Sequence, residues 1–289
     1  MENMLVTIVV PAYNHERYIA NTFNSLLAIE HTNVELIVID DGSADNTWQI
    51  VLAFEQRLRD RFSLVTLLTR PNRGISETLN QALEVAKGDY FCAVASDDLV
   101  KPNRLCRLLK VFNADENLAA VSGGIELISE SGAVTASRVP RREYVRFEDV
   151  FSFNYSVYAP AIVFKTAILR KIGGYCPESK IEDWELLLRL TYAGYKLFTI
   201  SEIVAQYRLH GANFHKKYLV MDLEMRKIAQ RYSSVAGYQE TLALLDSIKF
   251  RNACRVSFRE AARQFPRAGR SFFSRYFIHG LVILFKASR

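Results

Sequence analysis

The sequence predicts an α/β protein with a mostly parallel central sheet flanked by helices, and three observations carry that expectation. Val6-Thr7-Ile8-Val9-Val10 and Tyr90-Phe91-Cys92-Ala93-Val94-Ala95 are unbroken apolar runs of strand length, the pattern of strands buried on both faces. Amphipathic stretches of helical period separate such runs, and short connections between strand, helix and strand imply right-handed crossovers. Polar clusters follow three strands in turn: Tyr13-Asn14, Asp40-Asp41 and Asp97-Asp98. A parallel sheet gathers such ends on one rim, where open α/β sheets bind ligands, whereas solvated turns have no reason to collect there.

In chain order, Val6–Val10 stops at Pro11, and Pro11-Ala12-Tyr13-Asn14 forms a strand-end loop. Apolar residues at helical spacing from Tyr18 to Leu27 predict a helix, and Glu35–Ile39 a second strand that runs into Asp40-Asp41-Gly42-Ser43. Asp45 and Asn46 can cap a helix from Thr47 to Leu58, with Leu64–Leu68 as the next strand. The loop at Arg70–Gly74 leads into a helix from Ile75 to Ala86, closed by Gly88. Tyr90–Ala95 then ends in Ser96-Asp97-Asp98, and Pro102 begins a helix to Phe112. Two adjacent carboxylates at a buried strand end repel one another unless a cation or hydrogen-bond donors compensate them. A divalent metal holding a phosphate-bearing ligand is the sharp reading, and an acidic turn capping the next helix the plain one.

Beyond residue 119 the pattern loosens. Short strands are expected at 119–122, in a hairpin at 125–128 and 134–135, and at 161–164, with a basic loop at 138–142. A helix at 166–172 ends in Gly173-Gly174-Tyr175, and Glu182-Asp183-Trp184 opens another. Strands at 195–200 and 203–207 precede Arg208-Leu209-His210. Helices are expected at 218–232, 241–265 and 271–286, so the division expected is residues 1–215 and a basic, aromatic-rich helical extension, residues 216–289.

The net charge of +6 is uneven, because residues 250–289 hold nine Lys and Arg against the single acid Glu260. A basic tail on a slightly acidic remainder argues against a nucleic-acid partner for the fold as a whole. Phe272, Phe273, Tyr276 and Phe277 lie among its arginines, a composition that fits an interfacial membrane anchor, packing on the rest of the chain, or a dimer contact. Cys92, Cys106, Cys176 and Cys254 make no C-x-x-C pair, and no run of ~20 apolar residues occurs. The expected location is the cytoplasm, with peripheral contact to the inner face of the cytoplasmic membrane through the tail. Oligomeric state is not legible.

A G-x-G-x-x-G after the first strand and a Walker loop are both absent, which removes the common nucleotide-binding classes. Val9-Val10-Pro11-Ala12-Tyr13-Asn14, Asp40-Asp41-Gly42-Ser43, Asn72-Arg73-Gly74-Ile75, Gly88-Asp89-Tyr90, Ser96-Asp97-Asp98 with Pro102, Gly173-Gly174-Tyr175, Glu182-Asp183-Trp184 and Tyr207-Arg208-x-His210, in this order, resemble the family 2 inverting glycosyltransferases of the GT-A fold. The resemblance covers about residues 4–215. It implies a nucleotide-diphosphate sugar donor, a UDP-sugar first, lined by Pro11, Ala12, Tyr13, Asn14, Asp41, Asn72, Gly74 and Asp97. It implies a divalent metal, Mg²⁺ or Mn²⁺, at Asp98 and His210, and Asp183 as catalytic base with Glu182 and Trp184 supporting the acceptor or the helix start. At a helix start, Asp183 is expected to stay ionised. The acceptor implied is a glycan hydroxyl, in bacterial surface polysaccharide or O-antigen assembly on a lipid carrier. Ser96 stands where many relatives have the first Asp of D-x-D, and the Q-x-x-R-W motif of processive synthases is missing, so one sugar per encounter is expected. The alternatives are a nucleotide- or glycan-binding protein of the same fold, favoured by Ser96, and a sugar nucleotidyltransferase, which needs a Gly-rich basic loop where Pro11–Asn14 stands.

Overall fold

The structure, a computed structural model, describes residues 4–112, 114–115, 117–210, 218–254, 258–268 and 274–287. Its first half runs β1 (Val6–Ala12), α1 (Ile19–Leu27), β2 (Val34–Asp40), α2 (Thr47–Arg61), β3 (Leu64–Thr69), α3 (Ile75–Val85), β4 (Tyr90–Ala93), β5 (Leu99–Val100) and α4 (Arg104–Phe112). Then follow β6 (Leu118–Ile128), β7 (Val134–Arg138), β8 (Glu143–Val145), α5 (Phe147–Phe151), β9 (Ile162–Lys165), α6 (Thr166–Lys171), α7 (Glu182–Tyr192) and β10 (Lys196–Arg208). The C-terminal helices are α8 (Tyr218–Gln230), α9 (Tyr238–Cys254), α10 (Phe258–Ala268) and α11 (Arg275–Ala287). The chain divides into two compact units: Met1–Phe147 with Tyr155–Glu178 and Glu182–Gly211, and Glu148–Asn154 with Ser179–Ile181 and Ala212–Arg289.

The first unit is built on one mixed sheet with the order β3-β2-β1-β4-β9-β6-β10-β5, to which β7 adds beside β6 and β8 beside β10. Strands β3, β2, β1 and β4 are parallel, with Val9 opposite Ile37 on one side and Ala93 on the other. The chain therefore steps from β1 outward to β2 and β3, then returns to lay β4 on the opposite flank of β1. That reversal opens a crevice at the carboxyl ends of β1 and β4, the place where such sheets hold ligands. Strand β2 is buried along its whole length and β1 almost so, as their apolar runs require, while edge strand β3 is only partly covered. The core unites Ile8, Val10, Leu36 and Val38 of the sheet with Phe23 and Leu26 of α1 and Leu105 and Leu108 of α4. Gly88 permits the tight entry into β4, since a Cβ there would stand 2.5 Å from the Thr7 backbone nitrogen.

The sequence pattern breaks β6 and β10 where the structure does not. Gly123 lies so close to β10 that a Cβ would meet Val204 at 2.6 Å, and the β6–β10 register shifts between Thr199 and Ile203. Irregular pairing, not a turn, is what interrupts the alternation. The 241–265 expectation resolves into α9 and α10, with residues 255–257 outside the described set.

In the second unit, Phe250 of α9 stacks on Phe277 of α11 at 5.0 Å between ring centres, with Cys254 and Ala261 completing a small core. Asp222 of α8 receives Arg226 at 3.0 Å and Lys249 of α9 at 2.9 Å, which ties the two helices together. Leu219, Leu223, Ile278 and Val282 are about half exposed. No helix among the described residues is long and apolar enough to cross a membrane.

Candidate active site at the carboxyl edge of the sheet

The loop after β1 is closed against the loop after β2. The Asn14 amide donates to Ser43 Oγ at 2.9 Å, its side-chain oxygen accepts from the Ala44 amide at 2.8 Å, and the His15 amide donates to Thr47 Oγ1 at 2.8 Å. Pro11 and Ala12 sit in the last register positions of β1, opposite Ile39 and Asp40, while Tyr13 is 48 % exposed at the rim. Asp41 is buried. Its carboxylate accepts from the amides of Arg73 and Gly74, each at 2.9 Å, and from the Arg70 guanidinium. The Asn72–Gly74 stretch is thereby drawn to the end of β2, with the Asn72 side chain at the surface. Gly42 makes the turn possible: its φ is +76°, and a Cβ would meet the Asn72 amide nitrogen at 2.8 Å.

Across the crevice, the two acids after β4 part company. Asp98 is 2 % exposed and accepts from the Arg208 amide of β10 at 2.9 Å. Burial, with the charge of Asp97 beside it, pushes its carboxyl well above the usual range. Asp97 instead faces His210, whose Nε2 lies 2.8 Å from Oδ2, and His15, whose Nδ1 lies 3.8 Å from Oδ1. One donor atom from each of His15, Asp97 and His210 falls within 4.8 Å of the others, so among the described residues this is the group able to hold a metal ion. Of the two residues expected at a metal, His210 lies in this group and Asp98 lies beside it, with one carboxylate oxygen taken by the β10 amide. A carboxylate and two imidazoles suit a divalent ion that shares its shell with phosphate oxygens. Burial lowers the pKa of His15, which leaves its ring neutral and able to ligate. Tyr18 packs against both rings, tilted at 5.0 Å from His210 and edge-on at 5.9 Å from His15.

The carboxyl pair Glu182-Asp183 begins α7. Asn80 of α3 binds the Tyr175 amide at 2.8 Å and its carbonyl at 2.7 Å, while Arg189 of α7 donates to the carbonyls of Ile172 and Gly174, both at 2.5 Å. The Gly173-Gly174-Tyr175 turn is so fastened to α3 and to α7. Glu182, Asp183 and Tyr175 line a small cavity of about 50 Å³ whose other walls include Leu79, Ala93, Ile162, Phe164 and Leu186. Trp184 is buried, and its amide donates to Asp183 Oδ1 at 2.7 Å.

Asp183 opens to solvent at the cavity mouth, yet protein atoms crowd its carboxyl, and lost solvation raises its pKa. The Trp184 amide, donating to Asp183 Oδ1 at the helix start, opposes that rise, as the dipole argument expects. Glu182 is pushed up as well, to about 8, by burial and then by the charge of Asp183. The pair consequently retains a proton near neutral pH, held on Glu182, since the Trp184 amide favours the ionised form of Asp183.

Tyr207 connects the two halves of the rim. Burial and then the charges of Asp98, Asp97 and Asp183 raise its hydroxyl pKa, so all three carboxyls act on one phenol. His15, Tyr18 and Tyr207 had no role assigned from the sequence. The signal for His15 was its place one residue beyond Asn14, on the rim that already carried Asp97.

Residues 7–170 match the family described as Glycosyl transferase family 2. An uncharacterized glycosyltransferase of Nostoc sp. is 25 % identical over 248 residues, 82 % of this chain and 73 % of its own. Among the curated relatives, the share of the relative's length that this chain spans ranges from about a fifth to about three quarters. The S. aureus TarS 1-349 structure in complex with UDP-GlcNAc superposes with a TM-score of 0.66 at 21 % identity, covering 96 % of this chain and 81 % of that one. The Pyrobaculum calidifontis mannosyltransferase in complex with GDP-Man and Mn²⁺ gives 0.63 at 16 % identity, covering 98 % and 86 %. These two share the GT-A fold with the present chain. With the match extending from the second residue of β1 into the last turn of α6, the chain belongs to glycosyl transferase family 2.

Proposed function

We propose that this protein transfers a single sugar, with inversion, from a nucleotide-diphosphate sugar to an acceptor hydroxyl, and that a divalent metal assists. The carrying observation is that the switch point of the sheet holds a metal-capable group, His15, Asp97 and His210, and that Asp97 of that group and Asp183 of the carboxyl pair, with Asp98, act on one phenol, Tyr207. In this reading the loops after β1 and β2, with the Asp41-anchored stretch from Asn72 to Gly74, receive the nucleotide, a UDP-sugar first. His15, Asp97 and His210 would hold the ion, which when bound neutralises charge on the diphosphate.

Asp183 accepts the proton of the acceptor hydroxyl while the acceptor oxygen forms its bond to the anomeric carbon. The bond from that carbon to the diphosphate oxygen breaks on the opposite face, so configuration inverts and the nucleotide diphosphate leaves with the electron pair. Glu182, protonated, adds no second charge beside the base. For the wider setting we assign assembly of a bacterial surface glycan on a lipid carrier, at the cytoplasmic face of the membrane, with the basic helices of the second unit meeting the lipid surface. That assignment rests on the family and on the tail's composition.

The test is a panel of UDP- and GDP-sugars incubated with the protein and Mn²⁺, reading nucleoside diphosphate release with and without glycan acceptors. We expect release from one donor, and a loss of roughly 10²–10⁴-fold in Asp183→Asn with UDP affinity retained, the range for removing a positioned base. Donor binding without release under any condition would establish a binding protein instead. Near-normal turnover in Asp183→Asn would remove the base assignment.

A further inference from the structure

Ser96 stands where a third oxygen ligand would be expected, and its environment gives it a different task. The residue is fully buried, and its Oγ lies 2.7 Å from His15 Nδ1. The Thr22 hydroxyl shares its one proton between the Ser96 carbonyl at 2.9 Å and the Asp98 carbonyl at 2.8 Å, so the strand end carrying Ser96 and Asp97 is fixed to α1. The ring of His15 is confined as well: Tyr18 and His210 meet it edge-on at 5.9 and 5.7 Å between ring centres. A Ser-His-Asp nucleophile is not what this amounts to, because a hydroxyl with no exposed surface cannot reach a substrate.

We propose that Ser96 and His15 together replace a carboxylate in the metal site. Ser96 is the positioning residue: its hydroxyl takes His15 Nδ1, which leaves Nε2 as the nitrogen for the ion, so that the ion meets two imidazoles and one carboxylate, and this donor set selects Mn²⁺ and related first-row ions over Mg²⁺. The proposal rests on the metal-assisted reading above and names its ion class. The chemistry is general. Mg²⁺ is hard, strongly hydrated and bound by oxygen, whereas imidazole nitrogen suits first-row transition ions. Groups that orient a ligating His commonly contribute 10- to 100-fold in metal affinity.

Mn²⁺ binding to the whole protein, read from loss of the free-ion paramagnetic resonance signal and repeated with Mg²⁺ as competitor, tests this without any turnover. Wild type is expected to bind Mn²⁺ at least tenfold more tightly than Mg²⁺. Ser96→Ala should weaken Mn²⁺ by about 10- to 100-fold while leaving Mg²⁺ little changed. His15→Asp, which exchanges nitrogen for oxygen, should bring the two ions close to parity while still binding both. Trp48 and Trp184 fluorescence reports whether each variant is folded. His15→Asn is the substitute should His15→Asp not fold. An unchanged Mn²⁺ to Mg²⁺ ratio in folded Ser96→Ala and His15 variants overturns the role given to these two residues and leaves the metal-assisted reading standing. Absence of Mn²⁺ binding to wild type, alone and with UDP, overturns both.

Discussion

Replacing Glu182 with Gln should make the protein more stable at alkaline pH and leave it nearly unchanged at acid pH. In the fold the Glu182 carboxyl titrates at about 8, against 4.5 in the unfolded chain. Between those values the folded state holds a proton that the unfolded state has lost, so stability falls as pH rises through the window and levels off above about 8. At 1.36 kcal/mol per pH unit the full difference is about 5 kcal/mol. Glu182 is only partly covered, and an ionised carboxylate at the cavity edge can turn toward water, so an effect of about 1–3 kcal/mol is the realistic size. Glutamine has the same shape and nothing to ionise, so Glu182→Gln should be spared this loss. The assay is urea unfolding followed by tryptophan emission at pH 5 and pH 9. Both tryptophans, Trp48 and Trp184, lie in the sheet-bearing unit, so the signal reports that unit by itself. The variant's advantage should appear at pH 9 and shrink toward zero at pH 5. An advantage of equal size at both pH values, or a loss at pH 9, would refute the retained proton. The same variant should keep transfer at pH 7 within about tenfold of wild type, since Gln resembles the protonated acid it replaces.

Asp41→Ala should destabilise the sheet-bearing unit by about 3–5 kcal/mol and weaken UDP binding in calorimetry, because it leaves Arg70 and the Arg73 and Gly74 amides without their common acceptor; unaltered stability and affinity would show that the loop holds itself. Gly42→Ala should lower stability by about 1–3 kcal/mol, for its left-handed φ and its approach to Asn72, with the unfolding midpoint as readout. If the second unit meets a lipid surface, the chain should float with vesicles rich in phosphatidylglycerol but not with neutral ones, and lose binding as salt rises, each basic residue near the surface contributing about 1 kcal/mol. Equal flotation with both kinds would count against an electrostatic contact.

The parallel half of the sheet was readable because each of its strands is a short apolar run ending in residues that cannot be buried without partners. Val6–Val10 and the run from Tyr90 gave the strands, and Asp40, Asp41, Asp97 and Asp98 gave the rim. What no run of residues could supply was which acid does what. Asp97 and Asp98 are adjacent and chemically alike, and their fates are separated by an amide from a residue 110 positions later, Arg208. The interruptions at Gly123-Gly124 and between Thr199 and Ile203 hid the lengths of β6 and β10, and it is β10 that delivers Tyr207, Arg208 and, just past its end, His210 to the same rim.

His15 was obscured for a related reason. A histidine in a strand-end loop is unremarkable until the topology places the end of β4 beside the end of β1. Because the chain leaves β1 for β2 and β3 before returning to β4, 81 positions separate His15 from the hydroxyl it meets. The chain just beyond β1 therefore lies between the loop after β2, which Asn14 meets, and the end of β4, which His15 meets, and the identity of residue 96 bears on what residue 15 can do. A carboxylate at 96 would ligate an ion directly and leave His15 a bystander. A serine there lacks the charge to do so, is small enough to be buried, and can orient an imidazole. The departure at Ser96 is thus one half of an exchange whose other half, His15, becomes visible only when the two strands are laid side by side.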